Sequence, residues 1–330
     1  MDTYEMNRKL GVIAMLISAT GMGLVGTFSR GATNGLPTEA KQTIGAFLAC
    51  GRMTVAFIGF VILAIATKKL RAAFKTRPTF AVIMGGVTIG LSLGFYISST
   101  LMTTIANAVF LIYTGPLFCA ILALIFRKEK INLFQGICLA LVFVGMLMTI
   151  GILTIDQGGL SFGLNLSANS PEYPHKSLGD LYGLISGVLY GLSMFFLGYR
   201  KDLDSTVRGV WNFLWAAVAT LIMSLILKPW KGVAQFTGTN WAWAIGLFIV
   251  CGLVALGFLV VAGRNLPAVD YATIAYWECP VAILCGVLIF GESFTVTGAI
   301  GGLLIIIGGM GPALSTRAAA PKKKRRAPAA

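Results

Sequence analysis

Residues 270–292 read DYATIAYWECPVAILCGVLIFGE. The run is apolar and long enough to cross a bilayer as one helix, which takes about 20 residues for about 30 Å of hydrocarbon. Near its middle stands an acid, Glu278, and two residues later a proline, Pro280. A carboxylate at that depth costs about 2.5–3.5 kcal/mol on insertion scales, so it marks a functional site before it marks anything else. Pro280 has no N–H to give the carbonyl of Tyr276, one turn back, and the helix is expected to kink there. The freed acceptor would lie beside Tyr276, Trp277 and Glu278, which suggests a small-molecule site at mid-depth.

Working outward, the 330-residue chain is 57% hydrophobic and only 12% charged, with a mean hydropathy of +0.84. Soluble domains carry about 25% charged residues, so this is an integral membrane protein. The apolar runs give ten spans, at 10–29, 43–66, 79–100, 105–126, 132–152, 178–199, 206–227, 241–262, 269–290 and 295–314. The formal charge of +14 follows topology and is not a nucleic-acid footprint. With the N-terminus cytoplasmic, the inner segments collect Lys68, Lys69, Arg71, Lys75 and Arg77, the Arg127–Lys130 and Arg200–Arg208 clusters, and the tail PKKKRRAPAA. The outer segments hold only Arg30, Lys41, Lys176, Lys228 and Lys231. This asymmetry puts both termini inside. All six cysteines fall within spans, which implies no disulfide framework. The first span has a basic flank but no cleavage site after it, and reads as a retained helix.

Glycines punctuate the spans. Gly21, Gly23 and Gly26 interrupt the first, permitting close contact or local unwinding. Gly86, Gly90 and Gly94 in the third, and Gly183, Gly187 and Gly191 in the sixth, read as tight packing seams. Leu153–Ser177 is the one long loop, an extracytoplasmic linker holding Asp156, Glu172 and a solvated His175. The basic tail is expected to be a cytoplasmic end that touches anionic lipid, with a disordered stop as the alternative.

The two halves repeat. Leu10-Gly11, Leu16-Ile17-Ser18, Gly23-Leu24 and Phe28 recur in order as Leu178-Gly179, Leu184-Ile185-Ser186, Gly191-Leu192 and Phe196. Leu93-Gly94-Phe95 recurs as Leu256-Gly257-Phe258, and Tyr113-Thr114-Gly115-Pro116 matches Trp277-Glu278-Cys279-Pro280, with an acid, Glu129 or Glu292, at the following loop. Five spans per copy is odd, so the second copy enters from the opposite side. The expected architecture is an all-α membrane protein of two inverted five-helix repeats around a central cavity: 1–152, a linker at 153–177, 178–314, and a tail at 315–330.

Arg52 in the second span and the strings Pro116…Glu129…Gly136 and Pro280…Glu292…Gly298 carry a resemblance to the drug/metabolite transporter superfamily, in its ten-helix EamA-like branch. The resemblance covers residues 8–314. It implies a basket of inverted repeats around a central cavity, working as an exporter or exchanger.

Arg52 and Glu278 each lie nine residues into their spans, about 13–14 Å deep at 1.5 Å per residue, and can pair or line one cavity. Tyr271 shares a helix face with Glu278, and Tyr276 and Trp277 flank it. Asn107, Tyr113 and Thr114 are expected across the pseudo-two-fold axis, with Tyr96 nearby. Aromatics around one acid suit an ammonium group. The substrate-binding set is therefore Glu278, Trp277, Tyr276, Tyr271, Tyr113, Thr114, Asn107, Tyr96 and Arg52, with Pro116 and Pro280 as hinges. Asp270 reads as a structural acid complementing the helix dipole.

The function expected is secondary active transport of a small metabolite such as an amino acid or amine. Proton-coupled transport of a quaternary ammonium or lipophilic drug cation is the alternative. No phosphate-binding loop for ATP is present, and no catalytic residue, metal ligand set or cofactor is expected. A membrane-embedded transferase, a channel or a scaffold subunit are further alternatives. The expected partners are the small-molecule substrate, protons as a coupling species, and membrane lipid, with no nucleic acid; a homodimer is left open. A bacterial inner membrane is the expected location.

Overall fold

A computed structural model describes residues 7–319, apart from 127, 129–132, 151, 157–158, 163–172, 198, 200–202, 267–270, 272–273 and 293–294. Glu129, Glu172, Asp270 and the PKKKRRAPAA tail thus lie outside the described residues.

Asn7 opens α1 (Arg8–Gly23), its side chain accepting the Leu10 N–H at 3.1 Å. The helix breaks at Leu24, among the glycines, and resumes as α2 (Val25–Ala32). The second span is one unbroken helix, α3 (Thr38–Ala66), and a short α4 (Leu70–Lys75) leads to α5 (Phe80–Thr100). The fourth span comes in two pieces, α6 (Ile105–Ile112) and α7 (Gly115–Phe126), followed by α8 (Leu133–Ile150). The segment expected as a plain linker begins with an antiparallel hairpin, β1 (Leu153–Asp156) against β2 (Gly159–Phe162), with Leu153 opposite Phe162. The Ile155 N–H donates to Thr297 Oγ1 at 3.1 Å, which pins the hairpin to the start of the last helix.

The second half holds α9 (Lys176–Leu197), α10 (Ser205–Leu227), α11 (Trp230–Val233) and α12 (Gly238–Gly246). From α12 the chain continues without a turn through a π-helical segment, Leu247–Val254, into α13 (Ala255–Asn265). The last two are α14 (Glu278–Phe290) and α15 (Val296–Ala319).

Seven stretches among the described residues are long and apolar enough to cross a membrane, from Arg8–Ala32 to Gly238–Ala262. Three shorter apolar helices, Leu133–Thr149, Glu278–Phe290 and Val296–Met310, fall where the fifth, ninth and tenth spans were expected. The molecule is a helical, multi-pass membrane protein. Its surface is correspondingly apolar, with Leu288 78% and Ile226 72% exposed, while many serines and threonines are buried. Many bond back to their own helix, as Thr88 does to Met84 and Thr220 to Ala216, but several bond a neighbouring one: Ser18 to the Ala255 carbonyl at 2.7 Å, Ser92 to that of Ser186 at 2.8 Å, and Ser99 to that of Gly179 at 2.7 Å. Without a hydrophobic force between helices in lipid, close backbone approach and such bonds supply much of the cohesion.

The main helix pairs are α5 with α9, α8 with α15, α3 with α10, α5 with α10, α1 with α13 and α7 with α9. The glycine seams are packing surfaces. A Cβ on Gly90 would stand 2.6 Å from the Ala216 carbonyl oxygen of α10, and one on Gly187 would collide with the Leu111 carbonyl and Thr114 hydroxyl.

Candidate functional site

The fourth and ninth spans are both interrupted just before their prolines. Pro116 cannot bond the Ile112 carbonyl, and α6 ends there; Tyr113 and Thr114 form a turn before α7. Pro280 cannot bond Tyr276, and Tyr276 and Trp277 form the matching turn before α14. Both turns tighten to three-residue bonds, Leu117 N–H to Thr114 at 2.9 Å and Cys279 N–H to Tyr276 at 3.0 Å. A missing donor thus becomes two mid-span turns, from which Tyr113 and Tyr276 face one another.

The turns meet. Tyr113 donates its hydroxyl to Glu278 Oε2 at 2.8 Å and also lies 3.2 Å from the Ala275 carbonyl. The Tyr113 and Tyr276 rings sit 5.0 Å apart at 37°. Tyr96 is sealed in the same region, with its hydroxyl unpartnered, and close enough to feel the charges of Glu278 and Arg52. Glu278 itself keeps partial accessibility among these buried neighbours.

Arg52 is fully buried, and the neighbouring helix explains how. The π-helical register around Cys251 places its carbonyl to accept from Arg52 Nε at 3.1 Å; π segments recur at functional sites. Arg52 Nη2 lies 2.7 Å from Met22 Sδ, and Nη1 has no partner. Among the described residues no ion pair joins Arg52 to Glu278, although each lies within range of the other's charge.

Five of the nine expected site residues are therefore gathered: Glu278, Tyr113, Tyr276, Tyr96 and Arg52. The other four are placed differently. Trp277 is 46% exposed and donates its indole N–H to Thr20 Oγ1 at 3.2 Å. Tyr271 packs with the Ala14, Met15, Ala262 and Leu266 cluster between α1 and α13. Thr114 bonds back to the Leu111 carbonyl at 2.6 Å, against Gly187. Asn107 donates to Asp180 Oδ1 at 3.2 Å, a carboxylate that also accepts from Thr103 at 2.6 Å. Sequence reading missed Tyr190, whose ring packs on Gly115 and which feels the Glu278 charge; in sequence it is only an aromatic in an apolar helix.

A second polar centre lies at the end of the bundle where α2, α5 and α14 finish. Arg30, expected as a loop charge, is a half-buried hub. Its Nη1 meets Glu292 Oε1 at 2.6 Å, its Nε donates to the Thr100 carbonyl at 2.9 Å, and its Nη2 to that of Thr103 at 2.7 Å. The Tyr173 and Phe290 rings flank the guanidinium at 5.4 and 5.1 Å. Glu292 also accepts the Ile105 N–H, at the start of α6, at 2.9 Å. Gly291, left-handed at φ 64, ends α14 and turns Glu292 back over Gly286.

Comparison with known proteins fits this arrangement. The model of the EamA-like transporter family matches residues 9–151 and 177–311. The chain is 26% identical over 268 residues to the uncharacterized transporter YoaV of Bacillus subtilis (strain 168), covering 76% of this chain and 82% of that protein. It is 23% identical over 300 residues to an uncharacterized transporter of Archaeoglobus fulgidus, covering 91% and 95%. A solved structure described only as "Crystal structure of protein" matches with a TM-score of 0.54 at 16% identity, over 95% of this chain and all of the other, and so shares the fold. The chain belongs to the EamA-like transporter family.

Proposed function

We propose that this membrane transporter of the EamA type is a secondary carrier that exports or exchanges a small amino acid or amine by alternating access. The observation that carries the reading is Glu278: a carboxylate at mid-span, held by Tyr113 across two proline-broken helices, and still partly accessible. Near it stand two donors without partners among the described residues, Arg52 Nη1 and the Tyr96 hydroxyl. Buried polar groups are rarely left unpaired, and a substrate can complete them. An acid and a guanidinium in range of one another, but not paired, suit a zwitterion: ammonium to Glu278 and the aromatic rings, carboxylate to Arg52. A quaternary ammonium or lipophilic cation is the second reading, favoured by the adjacent Tyr113 and Tyr276 rings, and it needs no Arg52.

The mechanism needs two halves that rock. Ten spans in two inverted repeats account for the packing: α1 with α13 becomes α9 with α5 when each span is exchanged for the one five places on, and α8 with α15 and α3 with α10 map onto themselves. The two segments matched by the family model lie on the same halves. With both termini cytoplasmic, the Arg30–Glu292 pair closes the extracytoplasmic end, and Pro116 and Pro280 are the hinges. The positive-inside pattern supports a bacterial inner membrane in that orientation. The reading assigns no catalytic role; Glu278 is the group through which protons would couple.

The test is ligand-induced thermal stabilisation of the purified protein, screened over amino acids, polyamines and quaternary amines and repeated with Glu278→Gln and Arg52→Gln. An amino acid that stabilises the wild type and neither variant supports the reading. A cation that stabilises the Arg52 variant as well as the wild type favours the second. Equal stabilisation of wild type and Glu278→Gln removes Glu278 from the site.

A further inference from the structure

Just beyond the Arg30–Glu292 pair lies a cavity of about 510 Å³, in the size range of small-molecule sites. Its walls are aromatic and cationic: Trp243, Phe290 and Tyr173 on the sides, Arg30 at the base, and Lys41 on the first turns of α3. Among the described residues, no aspartate or glutamate lines it. Glu292 lies behind Arg30 with its side chain fully buried and its oxygens given to Arg30, the Ile105 N–H and the Tyr173 hydroxyl, and Glu39, on the first turn of α3, is not among the lining residues. Arg30 is committed to Glu292 and two carbonyls, but Lys41 makes no ion pair or hydrogen bond among the described residues.

Three further features point to an occupant. Thr27, 4% exposed, stands in the cavity wall, and its buried hydroxyl has no partner among the described residues. α3 starts at Thr38, also on the wall, with no side chain capping its free N–H groups. The indole of Trp243 is laid flat against Gly31, where a Cβ would collide with it, and Phe28 meets its edge at 5.5 Å, so the ring is fixed rather than loose. A lone ammonium, an uncapped helix start and an unpartnered buried hydroxyl around one aromatic-walled space favour a carboxylate on a flat or branched apolar body.

We propose that this vestibule is a second binding site, separate from the Glu278 cluster, for a small carboxylate-bearing solute, held by Lys41 and Thr27 with its apolar part between Trp243 and Phe290. The site goes beyond the central-site reading and does not depend on it. A solute entering here meets a charge of the right sign before it meets the closed Arg30–Glu292 pair.

Phenylacetate and phenethylamine serve as probes of one ring and opposite charge. Apparent affinity is read from thermal stabilisation of the full chain in neutral detergent. Phenylacetate is expected to stabilise the wild type and Glu278→Gln saturably, with the same apparent Kd. Binding should be at least tenfold weaker in Lys41→Gln, and restored to within about threefold in Lys41→Arg, since a charge is kept. Thr27→Val should weaken it severalfold without lowering the Tm of the free protein, because no hydrogen bond is lost. The proposal is overturned if Lys41→Gln binds phenylacetate like the wild type, or if phenethylamine stabilises in a Lys41-dependent way. Loss of binding in Glu278→Gln would place the acid in the central cluster instead. Stabilisation by phosphatidylglycerol but not by phenylacetate would assign the vestibule to a lipid headgroup and overturn the solute reading.

Discussion

Glu292 Oε1 lies 2.6 Å from Arg30 Nη1, and the side chains of the two residues are 0% and 11% exposed. The pair ties the end of α2 to the end of α14. Through the Thr100 and Thr103 carbonyls and the Ile105 N–H, it also holds the α5–α6 turn. One buried ion pair thus fastens three places where spans meet.

Removing Arg30 leaves the Glu292 carboxylate buried and uncompensated, which costs about 3–5 kcal/mol, and removing Glu292 leaves Arg30 with carbonyl partners alone. Glu292→Ala and Arg30→Ala are each expected to lower thermal stability sharply, with Glu292→Gln intermediate because it can still accept from the Ile105 N–H. The double variant should lose much less than the sum. A double-mutant cycle on unfolding in detergent checks this, and additive losses would mean that the two residues act separately.

That pair also marks the limit of what could be read beforehand. Pro116 and Pro280 were legible because the missing N–H is local: each proline alone dictates a break one turn earlier, and both breaks are there. The glycine seams were legible for a similar reason, since four-residue spacing puts small residues on one helix face. Arg30 was not. A cation at a span end looks the same in sequence whether it faces water or a carboxylate brought from another helix. The partner of Arg52 was equally hidden, because the Cys251 carbonyl becomes available through a π register that the apolar string LFIVCGLV does not announce. Trp277 and Thr114 lie on the expected spans but in the turns at the breaks, where their side chains meet other neighbours, Thr20 and Leu111.

At the opposite basic segment, Lys69 donates to Asp204, the N-cap of α10, whose other oxygen accepts the Thr206 N–H at 2.9 Å. Partial burial works to raise the Asp204 pKa, but the Lys69 hydrogen bond and charge, with the backbone N–H groups of Thr206 and Val207, outweigh it and hold the carboxyl below its ordinary value. A depressed carboxyl contributes stability that is present above its unfolded pKa, about 3.9, and lost as pH falls through the folded value. Both side chains are more than one-third exposed, so screening limits the pair to about 0.5 kcal/mol. Wild type should therefore exceed Lys69→Met by about that amount at pH 7, and the gap should close below about pH 3. A gap that persisted at low pH would assign the effect of Lys69 to packing of its stem.

Two glycine substitutions of identical chemistry should act in opposite directions. At Gly90 a Cβ meets the Ala216 backbone at 2.6 Å, and Gly90→Ala must push α5 from α10, at a cost of about 1–3 kcal/mol. At Gly257, within α13, a Cβ meets nothing within 4 Å, and Gly257→Ala should raise stability by about 0.5–1 kcal/mol through helix propensity alone. Thermal unfolding of the two variants side by side checks both signs, and a loss at Gly257 comparable to that at Gly90 would mean that the open side of α13 is occupied.

The last expectation concerns Tyr113, which reaches Glu278 from the opposite broken span. If Tyr113 serves the substrate by orienting Glu278, Tyr113→Phe leaves the acid in place but free to turn. A hydrogen bond to a charged group contributes about 1.5–3 kcal/mol, so the apparent KM for counterflow of the screened substrate should rise roughly 10- to 100-fold. In the Glu278→Gln background the same change should cost far less, because the carboxylate it positions is gone. The Tyr113 and Tyr276 rings are 5.0 Å apart, so lost stacking is the competing explanation, and Phe retains the ring and with it that contact. Counterflow in reconstituted vesicles for both single variants and the double gives the coupling directly. A coupling above about 1 kcal/mol makes Tyr113 a positioning residue for Glu278, whereas additive effects would show that its hydroxyl meets the substrate on its own.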